Sequence, residues 1–421
     1  MSIVIVGMLD EREEALRIIK KQIERRGHKT ILIDVSIGTG AITPSLKADI
    51  SCDEVARLAG GTAEEIKEMP AKDRDKATSL MAEGLMKKVL DIYRAGALQG
   101  VIAIGGMTGT FLSFTAMKSL PFGVPKLLIS SVAALPTYAG RLTNYFGPKD
   151  ITVMHSVVDT VGLNPLIRAL AVNGANAICG MVEGFEPIQK EEKPSIALTE
   201  FGFADKGAHY VRELLERDYS LVSFHAIGLG DRAAIDLLSQ GLFGAFIDLV
   251  PGSFSDYLLG GNRASGPDRL DGPRDLGIPY ILTPCGFDII SCGPIERRDK
   301  GDPLWVSRKL AERKLFIQDA MRVQARTSVE EMEMIARAVA EKLNQYKKKN
   351  LVKFIIPQKG FSSLSVEGGP LYDPLADKAF VDGLKKNLDP DIHIIEVDTH
   401  INTPQFAKAV VEALQESLKK T

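Results

Sequence analysis

The 421-residue sequence predicts the α/β class, organised as two doubly wound domains with parallel sheets. Three observations lead there. Short β-branched runs alternate with longer amphipathic stretches, the pattern of βα units. Glycine-bearing turns follow several of the runs, where a strand must turn sharply into a helix. A charged, proline-bearing stretch without periodicity, residues 185–194, divides a chain too long for one ordinary core. The expected division is therefore a domain over 1–184, a linker over 185–194 and a second domain over 195–421.

The elements follow in order. Ile3–Val6 reads as a strand, and Glu11–Arg26 as a helix with Ala15, Ile18, Ile19 and Ile23 on one face, closed by Gly27. Thr30–Val35 is a second strand ending at Asp34, and a long helix runs from about Asp73 to Ala95. Gly100–Ile104, Lys126–Ile129 and Ile151–Met154 complete the first set of strands, and Asn164-Pro165 supplies a cap and an N1 proline to the last helix. The alternation then repeats, with strands at Ser195–Leu198, Leu221–Phe224, Ala245–Leu249, Tyr280–Thr283, Val352–Ile356 and Ile392–Val397. Ser328 and Glu331 form a capping box ahead of a long helix, and Asp373-Pro374 and Thr403-Pro404 open two more.

Composition excludes several classes of function. Lys and Arg total 52 against 54 Asp and Glu, a net charge of −2, so the basic excess of a nucleic-acid binder is missing. No apolar run reaches the ~18–20 residues of a membrane span, so no membrane partner is expected. The four cysteines show no CxxC spacing, which argues for free thiols rather than zinc or a disulfide framework. The opening residues lack a signal-peptide pattern, and a cytoplasmic location is expected.

Ligands of open α/β sheets bind at the carboxyl ends of strands. In the first domain the sharpest candidate is Gly105-Gly106-Met107-Thr108-Gly109-Thr110, a strand-to-helix turn whose glycines allow close backbone approach and whose helix N-terminus favours phosphate. It is neither a P-loop, which needs a lysine beside Ser or Thr, nor GxGxxG. Asp10, Asp34, Ser130 and Ser131 also follow strands and complete the candidate cofactor site. In the second domain Gly228-Leu229-Gly230-Asp231-Arg232-Ala233 fits GxGxxA, with Asp248 near the spacing of a ribose-binding acid; a lone match of this kind is weak, and a plain tight strand-to-helix turn is the favoured reading. His225 and His400 lie just past strands and are expected to share one crevice as candidate general bases. Arg263, Arg269 and Arg326 are candidate clamps for a carboxylate or phosphate, with Asn402 beside them.

Several blocks recur together: Gly105–Thr110, Phe146-Gly147-Pro148-Lys149-Asp150-Ile151, Ser156-Val157-Val158-Asp159, Gly266-Pro267-Asp268-Arg269-Leu270, Arg326-Thr327, Tyr372-Asp373-Pro374 and His400-Ile401-Asn402. In these the chain resembles the family of uncharacterised bacterial proteins related to the ATP-binding domain of the plant tobamovirus-resistance protein. The resemblance implies two Rossmann-like domains, a nucleotide site in the first and a tendency to dimerise. It also implies a scaffold able to act as an interaction module, because the plant relatives bind and inhibit a viral replication protein.

The sequence departs from the family pattern at strand ends. A loop usually reading Gly-Thr-Leu-Asp-Thr-Lys is Gly7-Met8-Leu9-Asp10-Glu11-Arg12 here, and the segment after Ser131 is Ala133-Ala134-Leu135-Pro136 instead of Ala-Ser-Gly-Asp. Gln318-Asp319-Ala320 stands where the family carries His before Asn-Pro, and the loop after the first strand of the second domain reads Phe201-Gly202-Phe203-Ala204-Asp205. The leading expectation is a cytoplasmic, homodimeric protein that binds ATP, with Mg2+ near Asp10 or Asp34. The alternatives are an enzyme acting on a small acidic or phosphorylated metabolite in the cleft between domains, and a non-catalytic interaction module.

Overall fold

The computed structural model describes residues 2–69, 71–135, 146, 149–188 and 192–421. The chain separates into two compact units, Met1–Gln189 and Lys190–Thr421. In the first, strands β1 (Ser2–Gly7), β2 (Lys29–Asp34), β3 (Leu98–Gly105), β4 (Lys126–Ser130) and β5 (Thr152–His155) form one sheet in the order β2-β1-β3-β4-β5, every pair parallel. The central strands β1, β3 and β4 are almost wholly buried, because a parallel sheet is covered on both faces. Helices Leu9–Arg25 and Pro165–Glu183 cover one face, and Cys52–Leu58, Arg74–Arg94 and Met107–Ser119 the other.

Against expectation, one helix, Pro165–Glu183, is long and apolar enough to cross a membrane, with a mean hydropathy of 1.3. Its Ile167, Ala171, Ala175, Ile178 and Cys179 are buried against the sheet, so its apolar residues serve the core. Asn164 caps it, accepting hydrogen bonds from the Leu166 and Ile167 amides ahead of the N1 proline.

The second unit holds β6 (Ser195–Glu200), β7 (Ser220–His225), β8 (Ala245–Asp248), β9 (Tyr280–Leu282), β13 (Val352–Pro357) and β14 (His393–Val397), parallel in the order β14-β13-β9-β8-β6-β7. A second, antiparallel sheet, β10-β12-β11, is inserted between β9 and β13. It is built from β10 (Ile289–Gly293), β11 (Leu315–Asp319) and β12 (Arg322–Arg326). This sheet departs from the expectation of parallel sheets alone. The β11–β12 hairpin turns through Ala320-Met321, without the Asn-Gly or Asp-Gly signal that advertises a hairpin.

The two parallel sheets share one winding. In each, the chain starts at an inner strand, steps to an edge, then crosses back over the first strand and continues outward. The reversal falls between β1 and β3 in the first unit and between β6 and β8 in the second. Those are the topological switch points, where crevices open at strand carboxyl ends.

Candidate functional site

At the first switch point, β3 ends in Gly105 and the helix Met107–Ser119 begins one residue later. A Cβ at Gly105 would lie 2.8 Å from the Gly109 backbone, so strand and helix can pack this closely only with glycine there. Gly106 caps the helix without a side-chain bond. The first amide paired within the turn is Thr110 N–H, which donates to Gly106 O at 2.9 Å. The amides of Met107, Thr108 and Gly109 donate to no described residue, and the positive end of the helix dipole is exposed with them.

A residue that sequence reasoning passed over fills the opposite wall. The helix Leu9–Arg25 departs from helical angles at Arg12, and that side chain, only 5% exposed, runs across the carboxyl ends of the strands. Arg12 Nε donates to Thr160 Oγ1 at 2.6 Å, and Nη1 contacts Glu11. Nη2 lies 3.7 Å from Asp159 and 2.7 Å from where a Gly106 Cβ would stand. The sequence carries a signal for it: Arg12 keeps a cation where the family pattern has lysine.

The other predicted residues of this unit divide by availability. Thr110 Oγ1 pairs with Ser130 Oγ at 2.7 Å, both fully buried, and Ser130 Oγ also accepts from Val132 N–H. These two hydroxyls brace the turn instead of offering themselves to phosphate. Asp34 Oδ1 accepts from the Leu9 amide and from both the amide and hydroxyl of Ser36, so that oxygen anchors the helix start. Asp10 differs. Its Oδ2 accepts from Gly40 N–H at 3.1 Å, whereas Oδ1 is buried without a partner, and burial above all holds its carboxyl above the ordinary value. Thr108 and Ser131 are half-buried, and Met107 is exposed at the helix tip. Gly147 and Pro148, Pro136 and linker residues 189–191 lie outside the described residues.

In the second unit the glycine turn after edge strand β7 is built from the same parts with the opposite result. Gly228 (φ +93°) precedes the helix Leu229–Ser239, but Asp231 occupies the place of an anion. It is fully buried, and its Oδ2 accepts from Gly228 N–H at 2.7 Å. Its Oδ1 accepts from Ser253 Oγ and Arg269 Nε, both at 2.7 Å. Asp248, read as a ribose-binding acid, is fully buried and bound by Arg269, Thr199 and Tyr280 at 2.6–2.8 Å. The segment is a tight turn capped by its own carboxylate, as the favoured reading expected.

Arg269 has no exposed surface left for a ligand. Burial opposes its charge, but Asp248 and Asp231 outweigh that and hold its pKa well above the ordinary value. Arg263 is 9% exposed, pairs with Asp256 at 3.2 Å and lies 4.8 Å over the Phe201 ring. Arg326 is 3% exposed and donates to Asp288 O, Asp373 O and Asp377 Oδ1, with Nε unpartnered. The three arginines expected to clamp a substrate are thus committed to the protein's own oxygens. Phe203, Leu364, Leu371 and Ile289, with Phe201 and Phe316 against them, pack a further apolar plug in this unit.

The two histidines are not brought together. His225 ends β7 and His400 follows β14, and these strands are the opposite edges of the sheet. His225 is exposed beside Phe201, with ring centroids 5.4 Å apart. His400 accepts the Asn402 amide at Nδ1, and Asn402 ties its own loop to Gly207 N and Phe203 O. Among the described residues no group of three or more His, Cys, Asp or Glu is arranged to hold a metal.

Models of an uncharacterised protein family, UPF0261, match this chain along both units: the N-terminal domain over residues 1–187 and the C-terminal domain over 193–418. A UPF0261 protein of Clostridium tetani is 35% identical over 99% of this chain and 99% of its own. A Rhizobium meliloti relative is 30% identical over 98% of both chains. The ToMV resistance protein Tm-1(GCR237) of Solanum lycopersicum is 31% identical over 81% of this chain, which matches 45% of that protein. Among solved structures, a putative UDP-N-acetylglucosamine 2-epimerase from Listeria monocytogenes aligns over 100% of this chain and 97% of its own, at 12% identity and a TM-score of 0.24. A likeness at that level carries no argument about activity.

Proposed function

The chain belongs to the uncharacterised UPF0261 family, and on that premise we propose that its first unit binds ATP at the β1/β3 switch point. One observation carries the reading: the free amides at the start of helix Met107–Ser119 and the buried Arg12 guanidinium converge on Gly106, leaving a cradle that a Cβ would fill. Amides and a guanidinium are the donors that phosphate oxygens take, and the helix dipole adds positive potential at the same place. Thr108 and Ser131 lie beside them with polar side chains.

Asp10 is the carboxylate assigned to a magnesium ion there, because its buried Oδ1 lacks a donor, whereas Asp34 spends Oδ1 on Leu9 and Ser36. Magnesium is commonly held by one or two carboxylates together with substrate phosphates and water, so a site without a three-residue cage is consistent with this role. The ion would screen phosphate charge, while Arg12 and the turn orient the chain of phosphates.

The test is the melting temperature of the full chain with ATP, first with magnesium and then with the metal chelated. At ~100 times Kd the ligand adds roughly 2.7 kcal/mol, several degrees for a domain of this size. A rise that Gly106→Val and Arg12→Ala both abolish supports the site. No rise at millimolar ATP, or a rise that both variants keep, overturns it.

A further inference from the structure

The carboxyl ends of β13 and β14 border a cavity of about 760 Å³ that the ATP reading leaves unused. Three sequence blocks far apart in the chain meet around it: Tyr372-Asp373-Pro374 in its rim, His400 beside β14, and Arg326 behind Asp377. The segment from Gln358 to Asp373 folds over it. Gly360 is needed there at φ +134°, and a Cβ would also meet Val366 at 2.8 Å. Val366 and Val381 give the cavity an apolar side, with the buried Ile356 and Phe361 behind it.

Its charges decide the class of ligand. Lys385 pairs with Glu396 at 2.5 Å, Lys359 with Asp398 at 2.9 Å, and Lys378 with Asp382. No net positive charge remains for a phosphate or carboxylate. What remains are hydrogen-bonding groups. Asp377 gives Oδ1 to Arg326, while its Oδ2 accepts from no described residue. His400 accepts the Asn402 amide at Nδ1, which places the proton of the neutral ring on Nε2 and makes that atom a donor.

We propose that this cavity binds a sugar-sized polyol, uncharged or bearing an amino group. Its hydroxyls would donate to Asp377 and Glu367 and accept from His400, with its C–H face against Val366 and Val381. An apolar wall with a few fixed polar groups is how small-molecule sites combine affinity with orientation. The site lies within the second unit and stands independently of ATP binding in the first.

Saturation-transfer NMR on the full chain tests it, with glucose and glucosamine as probes and glucose 6-phosphate as the anionic control. Both neutral and amine-bearing probes should show transfer, with glucose 6-phosphate weaker. Asp377→Ala would strand Arg326, so the decisive variants are Val381→Trp, which fills the cavity, and His400→Gln. The first should abolish transfer, and the second should weaken binding by about tenfold, one hydrogen bond's worth. Gly106→Val should change neither. Absence of transfer from both sugars, preference for the phosphate ester, or binding that survives Val381→Trp would overturn the proposal.

Discussion

The two parallel sheets share a winding, and the turns after β3 and β7 share a glycine and a helix N-terminus, yet one is left with donors to spare and the other is neutralised from within. After β7 the buried Asp231 caps the turn, Arg269 neutralises Asp231, and Asp248 at the end of β8 completes the network. At β1/β3 donors are left over instead: the amides of Met107, Thr108 and Gly109 donate to no described residue, and Arg12, paired to Glu11 and near Asp159, reaches Gly106. Topology supplies a crevice in both units. The side chain that occupies it decides whether it is a ligand site or part of the core.

The largest expected effect separates these two fates. Arg269→Met leaves Asp231 and Asp248 as buried carboxylates without a cation, which costs ~3–5 kcal/mol. Thermal unfolding should show a midpoint lower by on the order of ten degrees. Arg12→Ala should cost only about 1–2 kcal/mol, since Glu11 and Asp159 reach solvent and only Thr160 Oγ1 is left buried without its donor, while it removes the ATP-induced shift. Equal losses of stability in the two variants would erase the distinction between core and site.

Much of this contrast could be read in the sequence, and the remainder could not, for physical reasons. Parallel strands announce themselves as short β-branched runs, so β1, β3, β8 and β13 were legible. The antiparallel insertion was not, because Leu315–Asp319 and Arg322–Arg326 are short and join through a turn without glycine or asparagine. The Gly105–Thr110 turn was legible because glycine after a strand has few other uses. The fate of Arg263, Arg269 and Arg326 was not, since partners such as Asp256, Asp231 and Asp377 are set by tertiary packing. Arg12 was missed because one letter does not reveal that the helix breaks locally and turns the side chain inward.

Two buried acids sharpen the comparison further. Burial raises Asp377 from an ordinary 3.8 to about 7, opposed by Arg326 and assisted by Asp288. The folded protein therefore binds this proton more tightly than the unfolded chain. The resulting stability is fully present below pH 3.8 and is lost as pH rises toward 7. Over that window the loss amounts to a few kcal/mol at roughly 1.4 per unit. Asp377→Asn, which cannot ionise, should lack the fall, and urea unfolding at several pH values reads the difference. Parallel pH profiles of the two proteins would remove Asp377 as its source.

Backbone packing gives the next effect. Gly105→Ala puts a Cβ 2.8 Å from the Gly109 backbone, which cannot move independently of the helix, and overpacking of this kind costs ~1–3 kcal/mol. Gly106→Ala meets only the tip of Arg12 and has an ordinary φ of −86°, so it should fold normally while displacing the guanidinium. The pair should therefore divide, one variant losing stability and the other ATP affinity. Reversed outcomes would mean that Arg12 is a structural brace.

The smallest effect on stability decides most about the metal. Asp10 is raised by burial, so its contribution to stability also declines as pH climbs above 3.8, and Asp10→Asn should gain slightly with rising pH. At neutral pH the change should stay within about 1 kcal/mol, because the Gly40 amide can still be accepted by the side-chain oxygen. The variant should nevertheless bind ATP with no difference between magnesium and chelator, if Oδ1 is the oxygen that meets the ion. A magnesium effect that persists in Asp10→Asn would leave Oδ1 as a buried acceptor of purely structural origin. The β1/β3 crevice would then be an anion site whose phosphates are neutralised by Arg12 and the helix alone.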